Sequence, residues 1–245
     1  MFQDVVDLHT HSVASGHAYN SIYEMAQSAV NKGVKLLGIS DHGPAMEGSA
    51  TKHYFRGSHH LKRHLFGIPV LFGVELNILN FDGSVDLDER FMEYLDFAIA
   101  SLHISCIKPG TMLENTEAFI GAIRNPKVSI IGHPDDGTYA VDFEQLAKEA
   151  ADNHVLIELN EASIAPDSYR KDGRINAARM LTACRKHDTH VILSSDAHAE
   201  HEILGHEYGI KLMNETAFPE ELIANISAER TLSWLQERND FVKGK

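Results

Sequence analysis

Short apolar runs alternate with amphipathic segments along almost the whole chain. Runs of this length, bounded by turn residues, are typical of strands buried on both faces of a parallel sheet. Helical periodicity lies between them, and Ser21 with Glu24 forms a capping box at the start of the first helix. Seven strands are predicted, near 5–8, 34–40, 69–74, 96–102, 128–132, 154–159 and 190–194. Helices are predicted near 21–31, 53–66, 114–124, 143–153 and 174–187, with another beginning near 219 and a small hairpin at 76–88.

Seven strands alternating with helices predict a parallel sheet whose outer face is covered by the helices. The repetition favours a seven-stranded (β/α)7 TIM-like barrel, and a doubly wound open sheet is the alternative. Barrels of this kind often run to the 245 residues found here. No repeat or linker interrupts the pattern, so residues 1–245 are expected to form a single domain.

Composition narrows the class of protein. The chain has 43% hydrophobic and 23% charged residues, as in soluble globular proteins. Its 22 basic and 35 acidic residues give a net charge of −13, which argues against a general nucleic-acid surface. The sequence shows no signal-peptide pattern, no long apolar run for a membrane and no cysteine motif, so a cytoplasmic protein is expected.

The sixteen histidines call for an account. His9 and His11 lie two residues apart at a strand end, which puts both imidazoles on one face, and His17 follows past a Ser-Gly turn. Other ligand-type residues also follow predicted strands, and in a parallel barrel these carboxyl ends share one rim. These residues are His42, Glu75, His103, His133, Asp196 and His198.

Nine ligand-type residues at one rim are too many for one tetrahedral ion and suit two or three ions. Imidazoles with a few carboxylates favour zinc, with manganese or iron next. The alternative, separate structural histidines, would need an unrelated reason for a polar group at the end of each strand. We call these residues the nine rim residues: His9, His11, His17, His42, Glu75, His103, His133, Asp196 and His198.

Several motifs appear in a recognisable order: DLHTHSVASGHAY, SDHGP, GVELN, the lone His103, IIGHP and SSDAH. They resemble the motifs of the PHP (polymerase and histidinol phosphatase) superfamily, and most closely those of its stand-alone YcdX-type phosphatases. The resemblance covers Asp7 to His198. It implies a distorted seven-stranded barrel that holds three zinc ions at the carboxyl ends of its strands.

The resemblance also implies a role for each rim residue. It implies a first metal ion held by His9, His11, Glu75 and Asp196. It implies a second held by His17, His42 and His198, and a third held by His103 and His133 with Glu75 bridging to the first. Glu75, Asp196 and His198 are the residues expected to take part in catalysis.

Metal-activated water suits hydrolysis of a phosphate ester. The leading hypothesis is therefore a metal-dependent phosphatase acting on a small anionic phosphomonoester, with no nucleic-acid or membrane partner. The alternatives are a PHP-type nuclease or exonuclease, amidohydrolase chemistry on a related barrel, and a non-enzymatic metal-stabilised binding module. Substrate identity, native metal and oligomeric state stay open at this point.

Residues near the motifs carry weaker hypotheses. Asp7 and Asp41 either orient ligating imidazoles or cap loops. Basic residues in loops assigned to the rim either clamp phosphate or are solvated, and they are Lys52, Arg56, Arg170, Lys171 and Arg174. The basic, His-rich segment 51–64, Asp135-Asp136 and Glu161 depart from the family pattern and put the substrate in doubt. His53, His59, His60, His64, His201 and His206 are expected at the surface.

Overall fold

The structure, a computed structural model, describes residues 4–244 and shows a mixed α/β fold. Nine strands are present in this range. They are β1 (Val6–Asp7), β2 (Leu36–Ile39), β3 (His64–Leu65), β4 (Ile68–Phe72), β5 (Glu75–Asn77), β6 (Ile99–Ser101), β7 (Ile130–Ile131), β8 (Leu156–Asn160) and β9 (Val191–Ser194).

Eight α-helices accompany the strands within the described residues, and none is both long and apolar enough to cross a bilayer. The predicted capping box is present, since Ser21 and Glu24 bond each other's backbone N–H groups. The helices are α1 (Ile22–Asn31), α2 (Lys52–Arg56), α3 (Met112–Ile123), α4 (Phe143–Asp152), α5 (Glu161–Ile164), α6 (Gly173–Lys186), α7 (Glu207–Glu215) and α8 (Ala228–Lys243).

The strands form two sheets, in the orders β1-β2-β4-β3 and β5-β6-β7-β8-β9. Every ladder is parallel except the one between β3 and β4. Isolated bridges join the sheets, one between Thr10 and Ala197 and one between His42 and Glu75. The parallel α/β prediction is confirmed. Neither seven strands nor a continuously closed ladder is found among residues 4–244.

The strand predicted at 69–74 accounts for the break between the sheets. Its first part is β4, which pairs with β2, whereas β5 begins at Glu75 and pairs with β6. A Cβ atom on Gly73 would lie 2.6 Å from the ring of Phe97, so this position needs glycine where the chain passes from one sheet to the other.

The strand count also exceeds seven because β3 forms a short hairpin with β4. Phe66 and Gly67 turn that hairpin with φ values of 49° and 89°. The helix predicted to reach residue 66 ends at Arg56 and is followed by a 3-10 turn, Gly57–His60. Glycine favours helices poorly, and the tight turn at 66–67 needs extended chain on both sides.

Both sheets contribute to one apolar interior. Leu8 and Leu36 from the first sheet pack in one cluster with Ile99, Leu156 and Ile192 from the second. The opposite faces of the strands are covered by helices, which is why the strand sequences read as unbroken apolar runs. The polar rim residues lie beyond this apolar interior, at one end.

The beginning of the chain is tied to the segment before α7 by an ion cluster. His206, expected at the surface, is 1% exposed, and its Nδ1 lies 2.6 Å from Asp4 Oδ2. Its Nε2 lies 3.7 Å from Asp7 Oδ2. Burial opposes the charged imidazole, but Asp7 and Asp4 outweigh it and raise the pKa of His206 to about 10. The surface prediction for His206 is therefore wrong, because two carboxylates 199 or more residues away pair with it.

His206→Gln should lower the free energy of unfolding in a pH-dependent way. The folded-state pKa is raised above the unfolded value of about 6.5, so the stabilisation is fully present below about pH 6.5 and is lost as the pH rises through about 10. Urea unfolding of wild type and variant at pH 6.5, 8 and 10 should show a shrinking difference. His201→Gln, at an exposed position, is the control. A difference that stays constant with pH would contradict the charged pairing.

Candidate metal centre

The nine rim residues come together at one end of the sheets, mostly just after strand ends. His9 and His11 follow β1, His42 follows β2, and Glu75 opens β5 where the chain changes sheet. The others follow β6, β7 and β9 or lie in the loop before α1, and they are His103, His133, Asp196, His198 and His17.

Glu75 lies at the centre of this group and is completely buried. Its Oε1 is 2.9 Å from His133 Nε2 and 3.1 Å from His103 Nε2. Its Oε2 is 2.6 Å from His42 Nδ1 and 3.4 Å from His9 Nε2. His11 Nε2 also lies 3.6 Å from Oε2. Each carboxylate oxygen therefore faces a different set of imidazoles, which is the arrangement a bridging carboxylate needs.

Asp196 and His198 complete the group on the other side. Asp196 Oδ1 is 3.2 Å from His11 Nε2 and 3.5 Å from His9 Nε2. His198 Nε2 is 3.0 Å from His17 Nε2. The donor atoms form three groups, and within each group the ligand atoms lie within 4.8 Å of one another. The groups are His9, His11 and Asp196; His11, His42 and His198; and His42, Glu75 and His103.

Oxygen atoms hold the other ring nitrogen of several rim imidazoles. An acceptor at Nδ1 fixes the ring orientation and leaves Nε2 to face the centre. The pairs are His9 with Glu158 at 2.7 Å, His11 with Ser15 Oγ at 3.0 Å, His103 with Asn77 Oδ1 at 2.7 Å, and His198 with the Asp196 carbonyl at 2.9 Å.

Glu158 is the main site residue that the sequence prediction missed. It is completely buried in β8, and besides His9 its carboxylate accepts from the backbone N–H of His133 at 2.8 Å and from Asn160 Nδ2 at 3.0 Å. Glu158 thus positions one rim imidazole directly and a second through its backbone. The signal was present, because Glu158 is the one charged residue within the apolar run 155–159.

The rim carboxylates are held ionised. Burial raises the pKa of Glu75, but the imidazoles of His103, His42 and His9 outweigh it and bring that pKa well below its usual range. Burial also raises the pKa of Asp196, but His9 and Arg170 outweigh it and bring that pKa well below its usual range. Anionic oxygens and imidazole nitrogens are therefore available at one point.

The imidazoles differ from one another. Burial lowers the pKa of His9, but Glu158, Asp196 and Glu75 outweigh it and bring the pKa well above its usual value. For His11, burial and the neighbouring His42 and His198 bring the pKa well below it. Neutral imidazole is the form that binds metal, so the crowding around His11 favours a ligand role.

Two rim residues have a left-handed backbone. Asp196 has φ 60° and His133 has φ 30°, which is unfavourable for residues other than glycine. Hydrogen bonds hold both, because Glu158 accepts from the His133 N–H and Asp7 accepts from the N–H and Oγ of Ser195 at 3.2 and 2.6 Å. These hydrogen bonds stabilise the strained backbone conformation at the positions from which the two side chains reach the rim.

The structure decides between the alternatives for Asp7 and Asp41. Asp7 holds Ser195 and the Leu204 N–H rather than a rim imidazole. Asp41 accepts from Ser12, Ser15 and Tyr54, and it reaches His11 only through Ser15 Oγ. Both residues shape the loops that carry rim residues, and neither is bonded directly to a rim imidazole.

The basic residues predicted near the rim differ in burial and in partners. Arg170 is buried, and its Nη2 donates to Asp196 Oδ2 at 2.7 Å while Nη1 donates to Asn160 Oδ1 at 2.7 Å. Arg170 therefore fixes the outer oxygen of Asp196. Arg174 pairs with Glu215. Lys52, Arg56 and Lys171 are exposed, as are His53, His59, His60, His64 and His201.

The residues that depart from the family pattern differ in their roles. Both oxygens of Glu161 accept backbone N–H groups at the start of α7, from Tyr208 and Gly209. Asp135 is completely buried, and burial raises its pKa to about 8. Asp136 is partly exposed and lines the mouth of the site.

Unsatisfied buried atoms test whether this group fits a metal ion. His9 Nε2, both ring nitrogens of His42 and Glu75 Oε2 are buried and make no well-aligned hydrogen bond, although His42 Nδ1 lies 2.6 Å from Glu75 Oε2. Such groups are costly unless another partner satisfies them. They all lie at the same centre, where imidazole and carboxylate donors of the kind that bind zinc converge. The residues therefore fit a metal centre.

Two adjoining cavities open at the rim. A cavity of about 290 Å³ is lined by His17, His42, His103, His133, Arg170 and Asp196. A larger one of about 650 Å³ shares His17, Tyr169, Asp196 and His198 with it. The larger cavity is also lined by Glu161, Asp167, Glu202 and Glu207, and no Lys or Arg is among its described lining residues.

Comparison with known proteins identifies the family. The profile of the PHP domain matches residues 7–162. A probable phosphatase of Caldicellulosiruptor saccharolyticus is 43% identical over 231 residues, which cover 94% of this chain and 95% of the relative. A probable phosphatase of Acetivibrio thermocellus is 36% identical over 241 residues, covering 98% and 99%. The chain belongs to the PHP domain family.

Solved structures agree on the fold. Histidinol phosphate phosphatase from Lactococcus lactis, solved with zinc, L-histidinol and phosphate, has a TM-score of 0.62 at 16% identity and covers 88% of this chain and 95% of its own. A chain of an archaeal ribonuclease P solved with mature tRNA has a TM-score of 0.53 at 16% identity, covering 98% and 91%. Such low identities bear on fold alone.

The family, the phosphatase relatives and the clustered imidazoles and carboxylates support a metal-dependent phosphatase. The predictions of a PHP family member and of a phosphatase are therefore confirmed.

Glu158→Gln should weaken metal binding and lower turnover about 10- to 100-fold, the usual cost of losing a carboxylate behind a ligating imidazole. Glutamine keeps the volume but removes the charge that holds the His9 ring. Zinc affinity by chelator competition and hydrolysis of an aryl phosphate would both be measured, with the exposed Glu93→Gln as control. An unchanged zinc affinity in Glu158→Gln would show that Glu158 does not support the metal centre.

Proposed function

We propose that the protein hydrolyses a small phosphomonoester at a centre of three metal ions held by the nine rim residues. The observation that carries this proposal is the placement of Glu75. Its two oxygens face separate sets of imidazoles, and buried donor atoms beside it lack hydrogen bonds. Zinc suits this donor set best, and manganese or iron is next.

The proposed ligand sets follow the contacts. His9, His11 and Asp196 would hold a first ion together with Glu75, and their donor atoms cluster accordingly. His17, His42 and His198 would hold a second, supported by the facing Nε2 atoms of His17 and His198. His103 and His133 would hold a third, since both face Glu75 Oε1.

Bound ions of this kind supply an activated water nucleophile and polarise the phosphoryl oxygens. The chain's own residues prepare the site for that chemistry. Glu75, proposed to bridge, keeps two sets of imidazoles in register through its two oxygens. Asp196 presents only Oδ1 inward, because Arg170 and Asn160 occupy Oδ2. His198 lines both cavities, which supports a role for it in contacting the phosphoryl group.

The two cavities support a small substrate. The smaller cavity, of about 290 Å³, would accommodate a phosphoryl group beside the rim imidazoles. The alcohol part of the ester would then extend past Tyr169 into the larger cavity. The acidic lining of that cavity repels further phosphate groups, which favours a monoester over a polyanion.

Features of the whole molecule support three accompanying proposals. The isolated bridges and the interior shared by both sheets support a distorted barrel of the TIM-like kind. The relatives match over nearly the whole chain, which supports a single domain spanning residues 1–245. Cys106 and Cys184 are free thiols, which supports a reducing, cytoplasmic location.

The alternative functions have less support. A nuclease needs a basic track for the strand, whereas the net charge is −13 and the larger cavity is acidic. Amidohydrolase barrels usually bridge their metals with a modified lysine, whereas Glu75 is the residue proposed to bridge here. A non-enzymatic metal-stabilised module would have no need for two cavities opening at its metal centre.

Glu75→Gln should reduce metal content and turnover more than any single His→Ala change at the rim, because this carboxylate is proposed to serve two ions. Metal per chain by elemental analysis and hydrolysis of an aryl phosphate would be measured on the same preparations, with wild type expected near three ions. Full metal content with near wild-type turnover in Glu75→Gln would exclude the bridging role.

The specificity constant for small phosphomonoesters should exceed that for oligonucleotides at least roughly a hundredfold, or about 2.7 kcal/mol of transition-state preference. Screening confines the repulsion from the acidic surface to about 8–10 Å, so a compact monoester is less affected than a long strand. Fully metallated protein at equal salt would be assayed with both. Comparable cleavage of oligonucleotides would overturn the assignment in favour of a nuclease.

A further inference from the structure

The hairpin predicted at 76–88 is present after β5, where Ile78 forms an antiparallel bridge with Val85. A chain of hydrogen bonds leads from this hairpin to the rim. Asn77, the last residue of β5, lies with Oδ1 2.7 Å from His103 Nδ1. Its Nδ2 lies 2.6 Å from Oδ2 of Asp86, on the returning side of the hairpin. His103 Nε2 in turn faces Glu75 Oε1 at 3.1 Å.

We propose that Asp86 is a positioning residue for His103, acting through Asn77, and that it fixes which ring nitrogen of His103 carries a proton. The tautomer and ring orientation follow from the hydrogen bonds alone. The consequence for metal binding rests on the proposed function.

Asp86 is surrounded by donors. Its Oδ2 accepts from the Ala45 N–H at 2.9 Å as well as from Asn77 Nδ2, and its Oδ1 accepts from the Asn77 N–H at 3.0 Å. Burial raises the pKa of Asp86, and these N–H donors oppose that rise. An ionised carboxylate only accepts hydrogen bonds, and all three contacts are N–H donors, so they fit an ionised Asp86.

The acceptors around Asn77 fix the direction of its amide. Its Nδ2 lies 3.2 Å from the Gly43 carbonyl as well as against Asp86, and neither neighbour can donate. The amide nitrogen must therefore face them, and the amide oxygen must face His103. Because an amide oxygen only accepts, Nδ1 of His103 has to carry the proton, and Nε2 is left to bind at the rim.

Gly43 shows that the surrounding chain is shaped around this carboxylate. A Cβ atom at position 43 would lie 2.4 Å from both oxygens of Asp86. Only glycine lets the carboxylate approach this closely. Gly43 follows His42, and its N–H donates to the Glu75 carbonyl at 2.8 Å. Asp86 is thus packed between the segments that carry two rim residues, His42 and Glu75.

The decisive comparison is Asp86→Asn against Asp82→Asn. Asparagine at 86 keeps the volume but turns an NH2 group towards donors, so the Asn77 amide loses its fixed direction. Asp82 lies in the same hairpin, is exposed and bonds only to Ser84 in the structure, which makes it a matched control. Gly43→Ala should displace the carboxylate and act in the same direction as Asp86→Asn.

Two readouts separate positioning from a structural role. The His103 Nδ1–H should give a protected imidazole resonance in 1H–15N spectra of the wild type, identified by its loss in His103→Gln. In Asp86→Asn that resonance should exchange faster or vanish, and zinc affinity by chelator competition should fall about 10- to 100-fold. Asp82→Asn should match the wild type in both measurements.

Two results would contradict the positioning role of Asp86. A wild-type spectrum in which His103 Nδ1 carries no proton would overturn the inference even if every variant failed to fold. A zinc affinity of Asp86→Asn within twofold of Asp82→Asn, with the resonance retained, would do the same. If Asp86 controls His103 and zinc affinity while no phosphomonoester is hydrolysed, the proposed function fails and the positioning role stands.

Discussion

A buried negative charge at Glu75 is the constraint on which the rest of the structure depends. An isolated carboxylate in this position would be strongly unfavourable, and the surrounding imidazoles of His103, His42 and His9 make it tolerable. Those imidazoles come from separate strand ends, so the charge can be satisfied only when both sheets are assembled. The assembly of the two sheets therefore also brings the imidazoles around Glu75.

The supporting residues extend that requirement outward. Glu158 holds His9 and the backbone of His133, and Arg170 holds the outer oxygen of Asp196. Asp7 holds Ser195 beside the left-handed backbone of Asp196. Several rim side chains are thus aimed by a buried partner on another element, which gives them the rigidity that metal centres and hydrolytic chemistry need.

The sequence predicted the site better than its supports, for a physical reason. Strand ends can be predicted from apolar runs, and ligand-type residues at such ends are local signals, so the positions of His42 and His133 at the rim were predictable without contact information. Glu158 was missed because its partner His9 lies 149 residues away and nothing local shows that it points inward. His206 was misplaced for the same reason. The division of the sheets at Gly73 depends on the ring of Phe97, which a strand pattern does not reveal.

The most direct test of the account is anomalous diffraction from crystals of metal-loaded protein, with data collected on either side of the absorption edge of the ion identified by elemental analysis. Three peaks are expected among the nine rim residues, with the Glu75 carboxylate between two of them. A single peak, or several peaks of which none contacts Glu75, would contradict it.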